Sequence, residues 1–254
     1  MTVTKKDVSD SVSSLRAQVL DWKNQPDKIN AAFDDLKWKS LAIWSATTDE
    51  RDAAQQHLKD LIVKLDQIMD GIEAPYLFIE YAAEWQSVAA KIRTGKNQVS
   101  SNPRFILEGH WTGDAKERYS ASRGLQDQAM ATCNDLAEKV HDQLLKLSES
   151  GRNLYKAVVD ALGVFLAAVG AALTQIVAII TSIEGAGKLV DAVFAGLGSA
   201  NAIYTQYVNE INSHTIVANE LINLIDNPTG LPGNKWPESV SKTFEDPKLW
   251  KQTE

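Results

Sequence analysis

The four histidines of the chain, His57, His110, His141 and His214, are too widely spaced to form the His-x-x-x-His pair that sets two imidazoles on one helix face for zinc. Gly185-Ala186-Gly187-Lys188 has the glycines and lysine of a phosphate cradle, but it lacks the spacing before Gly-Lys and the following Ser or Thr that a P-loop needs. There is no Gly-x-Ser-x-Gly elbow to present a nucleophile. The carboxylate pairs Asp34-Asp35 and Asp49-Glu50 read as solvated faces or helix-start charges. A single cysteine, Cys133, excludes an internal disulfide framework and a cysteine-cluster metal site. It falls on an apolar helical seam, where a small core residue is expected. His110, beside Trp111, reads as a loop imidazole packed on an indole. No catalytic residue, metal ligand or cofactor-binding group is therefore expected, and the chain reads as a non-enzyme with no cofactor.

An interaction protein remains, and composition narrows its partners. Of 254 residues, 44% are hydrophobic and 23% charged, which is globular composition. A net charge of −7 argues against a nucleic-acid partner, since binding to phosphates draws on Lys and Arg. The first residues, MTVTKKDVSDSV, show no apolar run of the secretory signal kind, so export by that route is not expected. Charge is uneven along the chain. Residues 151–226 hold only Arg152, Lys156 and Lys188 as bases and Asp160, Glu184, Asp191, Glu210, Glu220 and Asp226 as acids. The rest of the chain is charge-rich and water-facing.

The elements that must position any surface are helical by their spacing. Leu58, Leu61, Ile62, Leu65, Ile68, Met69 and Ile72 recur at three and four, and Thr47 with Glu50 fits a capping box in front of them. Gly71 and Pro75 predict a break, after which Leu77, Ala82, Trp85, Val88 and Ile92 resume the pattern. Val12, Leu15, Val19 and Trp22 predict a short helix ending before Pro26, and Ile29, Phe33, Leu36, Ser40 and Ile43 another. No stretch alternates as a strand would. Residues 227–254 carry Pro228, Pro232, Pro237 and Pro247, which predict an irregular tail with Trp236 and Trp250 as docking anchors.

The segment Gly109–Leu147 is the most informative. A loop with Pro103 and Gly109 leads to Trp111-Thr112-Gly113, where a helix is expected to start. Along it Ala115, Tyr119, Ser122, Gln126, Ala129, Cys133, Leu136, Val140, Leu144 and Leu147 form a near-heptad seam. Trp111-Thr112-Gly113-Asp114-Ala115, with Tyr119, Gln126 and Gln128, resembles the Trp-x-Gly (WXG) superfamily of type VII secretion proteins in its long form, the N-terminal helical module of effectors. The match covers roughly residues 105–147. The resemblance implies a turn at Trp111 and Gly113 joining two antiparallel helices, with Asp114, Ala115 and Tyr119 opening the second. It implies export that does not depend on a signal peptide, from the cytoplasm to the outside or the cell surface. The partner it implies is a small helical-hairpin protein of the same kind, with self-association as the alternative. The export pattern of the family, Tyr-x-x-x-Asp/Glu behind the second helix, is not met by Tyr155 with Val159 or by Tyr207 with Ile211. Tyr76 with Glu80 fits it, but upstream. A partner is then the alternative carrier of the signal.

Behind the seam, Ala161 to Ile183 are 23 residues without a charge. At about 1.5 Å per residue they match a hydrocarbon core of about 30 Å. Glu184 to Lys188 reads as a turn, and Leu189 to Tyr207 as a second apolar helix containing Asp191. Gly163, Phe165, Gly170, Ile176, Ile179 and Ile180 mark this hairpin as a core or membrane segment, with small residues for close helix contact. Burial as a bundle core is one reading. The alternative is insertion into a membrane, as an α-helical pore-forming toxin inserts its hairpin.

The expected fold is all-α, an elongated antiparallel helical bundle with a central apolar hairpin. Helices are expected at 5–24, 27–45, 48–97 with a break near 71–75, 113–149, 152–183 and 188–226. Three regions follow: an N-terminal helical region 1–100, the Trp-x-Gly hairpin with the apolar helices 101–226, and the tail 227–254. The functional expectation is a secreted helical interaction module or effector targeting domain.

Overall fold

The computed structural model describes residues 3–101, 114–178, 181–226 and 228–237. Regular structure among them is helical throughout, so the fold is all-α and its helices pack as a bundle. The α-helices are α1 (Lys5–Lys23), α2 (Gln25–Lys39), α3 (Leu41–Ala46), α4 (Thr48–Asp70), α5 (Ala74–Ser101), α6 (Asp114–Val177) and α7 (Ser182–Asp226). A 3-10 turn at Pro232–Asn234 follows. Contacts divide the chain into two compact units, one within 1–79 and 145–213, the other within 80–144 and 214–254.

The first unit holds the main core. Helix α1 starts on a capping box: the Asp7 amide donates to the Thr4 hydroxyl at 3.2 Å, and the Thr4 amide donates back to the Asp7 carboxylate at 2.9 Å. The Thr4 hydroxyl also donates to that carboxylate at 2.6 Å, and this bond, followed by the one from the Thr4 amide, favours the ionised form and holds the Asp7 pKa below its ordinary value. From there α1 buries Val8, Val12, Leu15, Val19 and Trp22, in steps of four and three. Helix α4 buries Ala54, Leu58, Leu61, Leu65 and Ile68 in the same steps. Two stripes of average period 3.5 suit helices packed lengthwise. Helix α2 adds Ile29, Phe33 and Leu36. The inner faces of α6 (Leu162, Val169, Ile176) and α7 (Leu189, Val193) complete one continuous cluster. Each fully buried side chain of this size contributes roughly 1.5–3 kcal/mol.

Several expected boundaries move. The helix expected at 27–45 ends at Lys39, because Ser40 is extended (φ −158°, ψ 101°) and its hydroxyl accepts from the Ile43 amide to start α3. The capping box expected at Thr47 does not form. Its hydroxyl instead donates backward to the carbonyls of Ile43 (3.0 Å) and Trp44 (3.3 Å). The break near 71–75 is present, between α4 and α5. The expected gap near 150–152 is absent, and α6 runs through it without interruption. The turn expected at Glu184–Lys188 lies earlier, between Val177 and Ser182, so those residues form the first turns of α7. There Glu184 and Lys188 pair at 2.5 Å across one helical turn, and this hydrogen bond lowers the Glu184 pKa.

Gly151 explains the continuity of α6. A helix-interior glycine costs only about 1 kcal/mol relative to alanine, and here the missing side chain makes room for a neighbour. A Cβ at this position would lie 2.5 Å from Cγ of Pro75, a rigid ring carbon. Gly170, by contrast, is exposed with open space around it. Gly151→Val is therefore expected to lower the free energy of unfolding by about 1–3 kcal/mol. Gly170→Ala is expected to raise it by about 0.5–1 kcal/mol. Denaturant titration measures both, and an unchanged or stabilised Gly151→Val would show that Pro75 does not bear on α6.

Candidate interaction surfaces

The groups with chemical potential are dispersed. Nδ1 of His141 lies 2.8 Å from the carbonyl oxygen of Ala82; that oxygen can only accept, so Nδ1 carries the proton. The His57 ring tilts against Phe194 at 5.0 Å between centroids. Cys133 is half-buried, and His110 lies outside the described residues. No group of three or more potential metal ligands occurs among the described residues. Tyr155 is buried and its hydroxyl donates to the Gly71 carbonyl at 3.0 Å. Burial, followed by the neighbouring Tyr207, Glu73 and Tyr76, pushes its pKa well up. That bond ties α6 to the turn between α4 and α5.

In the second unit, α5 and α6 run antiparallel. The Arg123 guanidinium donates to the Val99 carbonyl at 3.1 Å, Arg93 pairs with Glu138, and His141 meets Ala82. The face that α5 buries carries Ala82 and Ala89, one heptad apart, and α6 buries Ala129 and Ala137. Small residues let two helices approach closely. The larger side chains of α5 turn outward: Tyr81, Trp85 and Val88 are 49%, 40% and 40% exposed at i, i+4 and i+7. Periodicity had put Trp85 and Val88 on the packed face beside Ala82; the alanines occupy it instead. The chain beyond α7 returns to α6, where the Thr132 hydroxyl donates to the Thr229 carbonyl at 2.9 Å. Trp236 is half exposed and Trp250 lies outside the described residues.

The residues singled out from the sequence fall into two places. Trp111 and Gly113 lie outside the described residues. Asp114 and Ala115 open α6, and Tyr119 follows one turn on, half-buried. On the hairpin, Ile176 is fully buried, Gly163 and Phe165 are half-buried and Gly170 is exposed. Ile179 and Ile180 lie outside the described residues.

The α6–α7 hairpin closes tightly. A Cβ on Gly185 would stand 2.8 Å from the Ile176 amide nitrogen and 3.0 Å from the Ala172 carbonyl oxygen, so only glycine allows this approach. The end of α6 is capped from outside by a residue the sequence reading missed. The Lys39 ammonium donates to the Val177 carbonyl at 3.1 Å while pairing with Asp35 at 2.5 Å. The hairpin gives one face to the core and shows the other to solvent, rather than being wrapped on all sides. Val164 is 68% exposed, and Ile183 and Phe194 are similarly open. Comparison with protein-family models, curated proteins and solved structures finds no match to this chain.

A cation on the last carbonyls of a helix opposes the negative end of its dipole. Lys39→Ala is expected to lower stability by roughly 0.3–1 kcal/mol at low salt. The difference from wild type should shrink as salt screens this partly exposed charge. Urea titrations at two ionic strengths check it, and a loss independent of salt would assign the effect to packing of the lysine stem.

Proposed function

We propose that the chain is a helical interaction module associated with type VII secretion, made in the cytoplasm and acting outside the cell or at its surface. The observation that supports this reading is the antiparallel pairing of α5 and α6 on either side of residues 102–113, which carry Trp111-Thr112-Gly113. A Trp-x-Gly segment joining two antiparallel helices is the arrangement that the resemblance implies. The module acts by helix-on-helix docking. Tyr81, Trp85 and Val88 form an outward apolar stripe on α5, with the spacing that an amphipathic partner helix reads. The partner is a small helical-hairpin protein that carries the export signal or shares it. Catalysis and cofactors have no part in this function.

Co-expression with a small helical-hairpin protein encoded beside it is expected to give a stoichiometric complex. Trp85→Ala should weaken that complex roughly tenfold or more, since an exposed Trp at the centre of an interface dominates its energy. Helicity of the free chain should not change. In the producing cell, inactivating the type VII apparatus should abolish release into the medium, as should replacing Trp111 and Gly113. A soluble monomer indifferent to every such neighbour, with release independent of the apparatus, would overturn the reading.

A further inference from the structure

We propose that the outward face of α6 from Val164 to Val177, with Ala178 just beyond it, is a lipid-binding surface that lies in the plane of a bilayer, with the hydrocarbon boundary as its occupant. Eight residues of the stretch 161–178 are exposed: Val164, Ala167, Ala168, Gly170, Ala171, Thr174, Val177 and Ala178. Thr174 alone among them has a polar side chain, and its hydroxyl donates to the Gly170 carbonyl at 3.0 Å. The face therefore offers water no unsatisfied side-chain group, which is the condition a helix meets where hydrocarbon replaces water. Only Leu162, Val169, Ala172 and Ile176 of this stretch are buried.

Size and chemistry select lipid over protein. The face is about 20 Å long and a helix is about 10 Å across, so it offers on the order of a few hundred Å². A stable interface buries about 800 Å² on each partner, which neither a second copy nor a foreign protein reaches on this face alone. Protein interfaces are also enriched in aromatic side chains, Met and Arg at their centre, and the exposed positions here carry none. The border matches a zwitterionic headgroup layer, with charges of both signs. Lys39 stands beside Asp35 at the Val177 end, and Glu184 beside Lys188 at the start of α7.

The same charges fix the depth. Helix α7 exposes Glu184, Lys188 and Asp191 on the limb next to the apolar face, and a charged side chain at a bilayer centre is costly. A hairpin driven tip-first across the membrane would carry Asp191 deep into hydrocarbon. Side-on, α6 sinks its outward face roughly 5–10 Å while α7 keeps these charges at headgroup level. Attachment of this kind is reversible, and it leaves the α1–α4 core undisturbed.

The test is flotation of the full chain with phosphatidylcholine vesicles at neutral pH, together with release of a trapped dye. The variants are Gly170→Asp and Val164→Asp, at exposed positions where a charge leaves the folded core intact; circular dichroism and thermal unfolding confirm folding, and either variant alone suffices. The expected result is flotation of the wild type without dye release. Vesicle partition of each folded variant should fall roughly a hundredfold, as a carboxylate placed among lipid chains requires. An absence of flotation, or variants that float like the wild type, overturns the proposal. Dose-dependent dye release overturns the in-plane arrangement in favour of a hairpin that crosses. No flotation, with self-association in sedimentation that Val164→Asp abolishes, overturns it in favour of a second copy.

Discussion

Residues 161–183 hold no charge, and a helix without charge cannot be solvated on every side. The first unit answers that constraint by using α1 and α4 as a platform. Both present unbroken stripes at steps of four and three, from Val8 to Trp22 and from Ala54 to Ile68. The inner positions of α6 and α7 join the cluster those stripes form. Other features of the unit serve this packing. Gly185 lets α7 close onto Ala172 and Ile176, Gly151 lets Pro75 sit against α6, and Lys39 satisfies a carbonyl at the end of α6. With the platform in place, one face of the apolar run is buried and the other remains open.

How far this was legible in the sequence depended on which residues carried the signal. Seams built from large side chains, such as Leu58, Leu61, Leu65 and Ile68, could be read from spacing alone. The break between α4 and α5 was legible because Gly71 and Pro75 coincide there. Glycines misled where tertiary packing overrode propensity. Gly151 looked like a gap between helices and Gly185-Ala186-Gly187 like a turn, yet both are helical. The loss of about 1 kcal/mol per glycine is small beside the packing that Gly151 and Gly185 permit. The α5–α6 seam was hidden for a related reason. Ala82 and Ala89 bury, while Trp85 and Val88, the stronger hydrophobic signals, face outward. Lys39 was invisible, since nothing local ties it to a carbonyl 138 residues away. Trp111 and Gly113, which carried the functional expectation, lie outside the described residues, so that part of the site rests on sequence and on the two helices flanking it.

The two candidate surfaces differ in a way that separates their occupants. The stripe on α5 presents an indole and a phenol, rigid groups that combine a large apolar body with a polar tip. Such side chains reward a shaped pocket and a hydrogen-bond partner, which another helix supplies. The face on α6 presents Ala, Gly, Val and one Thr whose hydroxyl bonds back to the helix, with no aromatic ring. It has little relief for a protein partner to grip, and nothing a fluid hydrocarbon layer would leave unsatisfied.

Small residues also explain how this face can stand in water at all. Exposed apolar patches of several hundred Å² promote association, and a stretch of leucines or isoleucines at the same eight positions would present much more apolar area per turn. Alanine and glycine expose little beyond the backbone, whose hydrogen bonds the helix already satisfies. The penalty of exposure therefore stays low, while the absence of charge keeps the cost of entering lipid low as well. A face of small residues has enough apolar area to favour lipid yet little enough to stand in water, so its attachment is reversible, which a leucine-rich face, driven strongly out of water, would not allow.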